Sequence, residues 1–197
     1  MTASRLRIVL WVLVGLAAVG GVLLALQPRT PVIRQTELGT IGGPFTLTGS
    51  DGKPFSSAKL DGRPAAIFFG FTNCPDVCPT TLSRLVKLRR QLGRGDEALS
   101  IVFITVDPDR DGPAEVGSYA ALFGAPVIGL TGSPADIERV KKQFGVFSQK
   151  VEQPGGNYSV DHSASVFLMD RDSRFIATLS PEEGDAVALA KIKRLVA

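Results

Sequence analysis

One apolar block opens the chain, and short alternating patterns follow it. From Ile8 to Leu26 the sequence reads IVLWVLVGLAAVGGVLLAL, nineteen residues without a charge or a strong polar group. At about 1.5 Å of rise per residue, this run roughly spans the ~30 Å hydrocarbon core of a bilayer. Arg5 and Arg7 precede it, and positive residues tend to stay on the cytoplasmic side. The pattern predicts one N-terminal transmembrane helix, a signal-anchor over 8–26. Residues 1–7 would lie in the cytoplasm, with everything after Gln27 exported. The alternative is a cleaved signal peptide, whose apolar stretch is usually about 7–15 residues and ends at small-x-small. Ala25, Leu26, Gln27 and Pro28 offer no such pair. Residues 27–38, with two prolines and mixed charge, read as a tether to a domain over 39–197.

Within that domain the pattern changes period repeatedly. Phe45 to Thr48, followed by Ser50-Asp51-Gly52-Lys53, predicts a strand entering a turn. Ala65 to Phe71 is almost continuously apolar, as expected for a strand buried on both faces. Pro79 to Leu92 carries Leu82, Leu85, Val86 and Leu92 on one helical face, and Gly93 and Gly95 end it. A strand over 101–106, a helix from about 114 to 123 and a strand over 127–130 follow. Ser133 is placed to cap a helix over 134–144. Residues 145–160 read as irregular, with a sharp turn at Pro154-Gly155-Gly156-Asn157. A hairpin of 165–169 with 175–179 and a helix over 182–195 close the chain. Parallel runs first and an antiparallel hairpin last predict an α/β, thioredoxin-like fold with a mixed sheet.

Composition narrows the chemistry. A chain that is 44% hydrophobic and 21% charged is globular, not disordered. The net charge of +3 owes much to Arg5 and Arg7. The exported part holds 20 basic and 19 acidic groups, so it has no electrostatic footprint for nucleic acid. Two cysteines and one histidine exclude four-cysteine zinc or iron–sulfur sites and centres built from three imidazoles. Soft or nitrogen ligands for a metal would have to be Cys74, Cys78 and His162.

Cys74 and Cys78 fall in FTNCPDVCPTTL, between a buried strand and a helix that Pro79 suits as an early residue. That puts Cys78 near a helix N-terminus, where partial positive charge favours thiolate. A structural disulfide would close so small a loop that it stabilises weakly. A dithiol oxidoreductase fits the placement at a strand-to-helix switch. Zinc would be one ligand short of a structural site. Copper matches best: Cu(I) accepts two thiolates, and Cu(II) accepts thiolate plus imidazole. Asp76, between the sulfurs, is a candidate outer partner or a plain solvated turn residue.

His162 lies in YSVDHSASVFLMD, just before an apolar strand. Strand ends near a topological switch gather ligands, which would bring it toward the cysteine loop. A turn-capping role accounts for it equally well. Asp161 would orient the ring from an outer shell, although adjacent side chains usually point apart.

Four blocks in order, TNCPDVCPTTL, TVDPDRDGP, TGSPADIERVKKQFGV and VDHSASVFLMD, resemble the Sco/SenC family over about residues 39–180. That resemblance implies a membrane-anchored copper metallochaperone of thioredoxin-like fold. It would help to mature the dinuclear copper site of cytochrome c oxidase. Cys74, Cys78 and His162 match the family's copper ligands, with Cu(I), Cu(II) or both as the ion. Asn73 stands where many members have histidine or another polar residue. A disulfide between Cys74 and Cys78 would prevent binding, so redox state would gate transfer. The implied partners are the copper-site subunit of the oxidase, another copper chaperone and a thiol reductant. The implied location is the inner (cytoplasmic) membrane, single pass, with the domain in the periplasm. The alternative is a thiol-disulfide oxidoreductase that reduces the oxidase's ligand cysteines, with Cys74 attacking.

Two charged blocks complete the reading. Asp107, Asp109 and Asp111 resemble carboxylates for Mg²⁺ or Ca²⁺, but interleaved Pro108 and Arg110 favour a turn with an internal ion pair. Arg84, Lys87, Arg89, Arg90 and Arg94 form either a solvated helix face or a surface that steers an acidic partner.

Overall fold

The computed structural model describes residues 41–197 together with Trp11. Trp11 apart, the predicted anchor and tether lie outside the described residues. Among the described residues, no helix is long and apolar enough to cross a membrane. Gly39–Ala197 forms one compact unit.

A short hairpin, β1 (Thr46–Gly49) and β2 (Pro54–Ser56), begins the domain. The apolar run that follows becomes β3 (Ala65–Gly70), buried at every position. Helix α1 (Val77–Gln91) crosses over to β4 (Ser100–Thr105), which lies parallel to β3 and is also buried throughout. Helix α2 (Pro113–Ala121) leads to β5 (Ile128–Thr131), parallel to β4, and α3 (Pro134–Phe144) follows. A separate hairpin, β6 (Ser148–Gln153) with β7 (Asn157–His162), then precedes β8 (Val166–Met169), β9 (Phe175–Leu179) and α4 (Asp185–Val196). The main sheet runs β2-β1-β5-β4-β3-β8-β9, with its antiparallel strands at the edges. This is the thioredoxin-like mixed sheet that the element order predicts.

Strand alternation explains the two-sided core. Phe68 and Phe103 are paired on β3 and β4, and Tyr119 of α2 lies 5.1 Å from the Phe103 ring. The neighbouring Phe69 must face the other way. There it meets Phe144 of α3 at 5.3 Å and Phe167 of β8 at 5.9 Å. A strand sandwiched in this manner has no polar face, which is why its sequence shows no alternation. Local signals set the boundaries of α3. The Ser133 hydroxyl accepts the Asp136 N–H at 3.1 Å, and Gly145 ends the helix at φ 66°, where a side chain would be strained.

Three expectations need correction. Helix α1 begins at Val77 rather than Pro79, and the Thr80 N–H makes an early bond to the Asp76 carbonyl. Pro79 then sits in the first turn, where its missing N–H costs nothing. Helix α4 begins at Asp185, because Pro181 to Gly184 form a turn instead of its first residues. Most consequential, residues 148–162 are not irregular. They form a six-pair antiparallel ladder from Ser148↔His162 to Gln153↔Asn157, joined through Gly155 and Gly156 at φ 90° and 78°. Only Val160 of this hairpin is buried. Main-chain pairing dominates it, so only a brief alternation at Tyr158, Val160 and His162 announces it.

Candidate metal centre

The thiol half of the site hangs from the end of β3. The chain leaves the sheet at Phe71 and turns through Thr72 to Asp76. The Cys74 N–H donates to the Phe71 carbonyl at 3.3 Å, and the Cys78 N–H points at the Cys74 sulfur at 3.5 Å. Cys78 is fully buried and Cys74 half-buried, both as free thiols. Gly70 makes the space: a Cβ there would stand 2.8 Å from the Cys78 Sγ and 3.0 Å from the Phe68 ring. Burial pushes the Cys78 thiol well above its ordinary pKa, and a backbone hydrogen bond at Phe71 lowers it by less. Burial of Cys78 thus works against the thiolate that the helix terminus favours. A metal that binds Cys78 would have to displace its proton.

A buried carboxylate holds this loop in place. Asp111 accepts the Thr72 N–H at 2.9 Å, the Thr72 hydroxyl at 2.6 Å and the Thr105 hydroxyl at 2.6 Å. Its own carbonyl accepts from the Thr131 hydroxyl at 2.6 Å. The DPDRD block is thus no cation cradle, because each of its carboxylates turns to a different protein partner. Asp107 pairs with Arg110 and accepts the Tyr158 hydroxyl, and Asp109 pairs with Lys150.

The imidazole half arrives on β7. His162 is its last residue, and the neighbouring chain is pinned where the Ser163 N–H donates to the Phe147 carbonyl at 3.0 Å. The ring lies edge-on to two phenylalanines, 6.0 Å from Phe68 and 5.8 Å from Phe71. Its Nδ1 sits 3.1 Å from the Ser163 carbonyl and its Nε2 3.5 Å from the Cys78 Sγ. A carbonyl can only accept, so Nδ1 carries the proton and Nε2 presents its lone pair toward the sulfurs. Burial lowers the imidazole's pKa, against smaller opposing effects of the Ser163 carbonyl and Asp161. The ring is therefore neutral and ready to ligate near neutral pH.

Ligating atoms of Cys74, Cys78 and His162 all lie within 4.8 Å of one another, the one such group among the described residues. Ligands bonded to one ion at about 2.0–2.3 Å are at most about 4.6 Å apart, so small rotations would close the site. Two thiols and an imidazole suit copper better than zinc, for which no fourth protein ligand is present among the described residues.

Other predicted site residues lie elsewhere. Asp161 is exposed, and the Ser163 carbonyl, not Asp161, holds the ring's second nitrogen. Adjacent strand residues face opposite ways, which explains the difference. Asp76 is exposed and accepts the Thr80 hydroxyl at 3.2 Å. The basic residues of α1, and Arg94 just beyond it, do not form one patch. Arg89 is buried against the Leu99 and Pro126 carbonyls, Arg84 pairs with Asp185, and Arg94 holds the Val196 carbonyl. Sequence reasoning missed Gly70, Phe68, Phe71 and Ser163; only the position of Gly70 at the end of an apolar run was a signal.

A thioredoxin-like domain with a Cys–Cys–His cluster where a strand, a helix and a hairpin meet defines the class of the molecule. A sequence model of the SCO1/SenC family matches residues 33–197, and the chain belongs to that family. It is 39% identical over 140 residues to the mitochondrial protein SCO1 homolog 1 of Arabidopsis thaliana. That match covers 69% of this chain and spans 41% of the relative's length. Copper-bound ScoI of Bradyrhizobium japonicum is similar in structure, with 42% identity and a TM-score of 0.71 over 79% of this chain and 99% of that one. BsSco, described as having a disulfide switch and as a member of the Sco family of cytochrome c oxidase assembly proteins, is 26% identical. Its TM-score is 0.63, over 81% of this chain and 95% of that one.

Proposed function

We propose that this protein is a copper metallochaperone that binds one copper ion through Cys74, Cys78 and His162. It delivers the ion to the dinuclear copper site of cytochrome c oxidase or matures that site. The carrying observation is His162 Nε2, held 3.5 Å from the Cys78 Sγ across 84 residues of sequence with its other nitrogen on a carbonyl. Dithiol chemistry has no need of that imidazole. Two thiolates suit Cu(I), and the imidazole makes the same site acceptable to Cu(II). Oxidation of the pair to a disulfide removes both sulfur ligands, so redox state gates binding. The apolar run at 8–26 behind Arg5 and Arg7 supports an inner-membrane anchor with the domain in the periplasm.

The test is a Cu(II) titration of the full-length reduced chain. The account expects one copper per chain, thiolate-to-copper charge-transfer bands, and loss of those bands after disulfide formation. Binding that survives oxidation would contradict it. A second reading, thiol-disulfide exchange with the oxidase's cysteines, draws on the asymmetry of a half-exposed Cys74 beside a buried Cys78.

A further inference from the structure

The DPDRD turn touches both halves of the site. On one side Asp111 grips Thr72, at the root of the cysteine loop. On the other side three residues reach the hairpin that carries His162. The Asp107 carboxylate accepts the Tyr158 hydroxyl at 2.8 Å, and Asp109 pairs with Lys150 of β6 at 2.6 Å. The Arg110 Nη1 donates to the Tyr158 carbonyl at 2.9 Å and to Asn157 at 3.3 Å. The guanidinium carbon lies 3.7 Å from the centroid of the Tyr158 ring and 6.0 Å from that of Phe71. The buried Arg110 Nη2 has no oxygen partner, which the stacking on Tyr158 explains.

Tyr158 and His162 share one face of β7, four residues or about 13 Å apart. The hairpin is a sheet of its own, with no strand of the main sheet hydrogen-bonded to it. A lone two-stranded ladder is marginal by itself, so its position depends on what clamps it. Phe71 supplies a second route, since its ring faces Arg110 and packs edge-on against the His162 imidazole.

We infer that Arg110, with Tyr158 and Asp107, is a positioning device for His162, setting the imidazole against the two sulfurs through the hairpin and through Phe71. The inference rests on the three-ligand copper reading for its consequence. Its geometric content concerns the metal-free chain. Loss of the clamp leaves the thiols where they are and lets the imidazole drift, so Cu(II) binding suffers while Cu(I) on the sulfurs does not.

The only histidine of the chain makes the test direct, because histidine-selective labelling gives the signals of one imidazole. Full-length metal-free wild type, Arg110→Lys, Arg110→Gln and Tyr158→Phe would be compared at one pH above the imidazole's titration. Lysine keeps the charge beside Asp107 but lacks the flat fork that stacks and reaches the carbonyl. Phenylalanine keeps the stack and loses only the hydroxyl bond. The expected result is a shifted or broadened imidazole signal in both Arg110 variants and a smaller change in Tyr158→Phe. Cu(II) affinity should fall about 10–100-fold in the Arg110 variants, with Cu(I) affinity unchanged. An unmoved imidazole signal in folded Arg110→Lys would overturn the inference. So would an equal loss of Cu(I) and Cu(II). If wild type bound no copper, the functional reading would fall, and the imidazole signals would still decide the clamp. Should Arg110→Gln not fold, Arg110→Lys and Tyr158→Phe carry the decision.

Discussion

The two halves of the metal centre are built on opposite physical terms. Cys74 and Cys78 sit at the root of a strand buried at all six positions, with Cys78 itself fully buried. His162 ends a hairpin in which Val160 is the one buried residue. The first region is held by apolar packing and a buried carboxylate, the second by main-chain pairing and a few polar clamps. The thiols thus sit in a packed, buried cradle and the imidazole on a more exposed hairpin.

The largest effect should come from cutting the support of the rigid half. In Asp111→Ala the Thr72 N–H and the Thr72 and Thr105 hydroxyls lose their acceptor. Each buried donor left without its acceptor costs about 1–3 kcal/mol. Val151→Thr on the exposed hairpin should stay within about 0.5 kcal/mol. Denaturant unfolding of the two variants checks this, and equal losses would erase the contrast between the regions.

A smaller effect should appear with pH. Burial depresses the His162 imidazole's pKa, so the unfolded chain binds its proton more readily than the folded one. Stability contributed by the neutral ring is fully present above about pH 6.5 and is lost as pH falls through the folded value. In the metal-free chain the single imidazole should titrate below 6.5 by nuclear magnetic resonance. A midpoint above that value would mean that the half-buried ring is not desolvated as described.

The same contrast explains what could be read from the sequence. Strand β3, helix α1 and the cysteine pair between them were legible because burial on both faces and helical periodicity leave strong marks in AAIFFGF and LSRLVKL. The hairpin was not. SQKVEQ carries no apolar rhythm, and the alternation of Tyr158, Val160 and His162 in NYSVDH is brief, since most of the hairpin's pairing is between backbones. Asp111 was visible as an acidic turn, but nothing local says that it bonds to Thr72, 39 residues earlier. His162 could be nominated because it has no rival histidine, precedes an apolar strand and falls in a block that resembles the family. Its contacts with Phe68 and Phe71 depend on tertiary folding, while the Ser163 carbonyl that holds Nδ1 belongs to the next residue in the chain.

The most direct test of the central claim, that the imidazole completes a copper site rather than filling a turn, is Cu(II) titration of full-length reduced His162→Ala. The account predicts an intact fold and undisturbed dithiol–disulfide interconversion. Cu(II) affinity should fall more than about 100-fold, beyond what loss of an outer partner produces. Cu(I) should remain on Cys74 and Cys78. Cu(II) binding of wild-type strength in His162→Ala would contradict the account and leave a dithiol protein in its place.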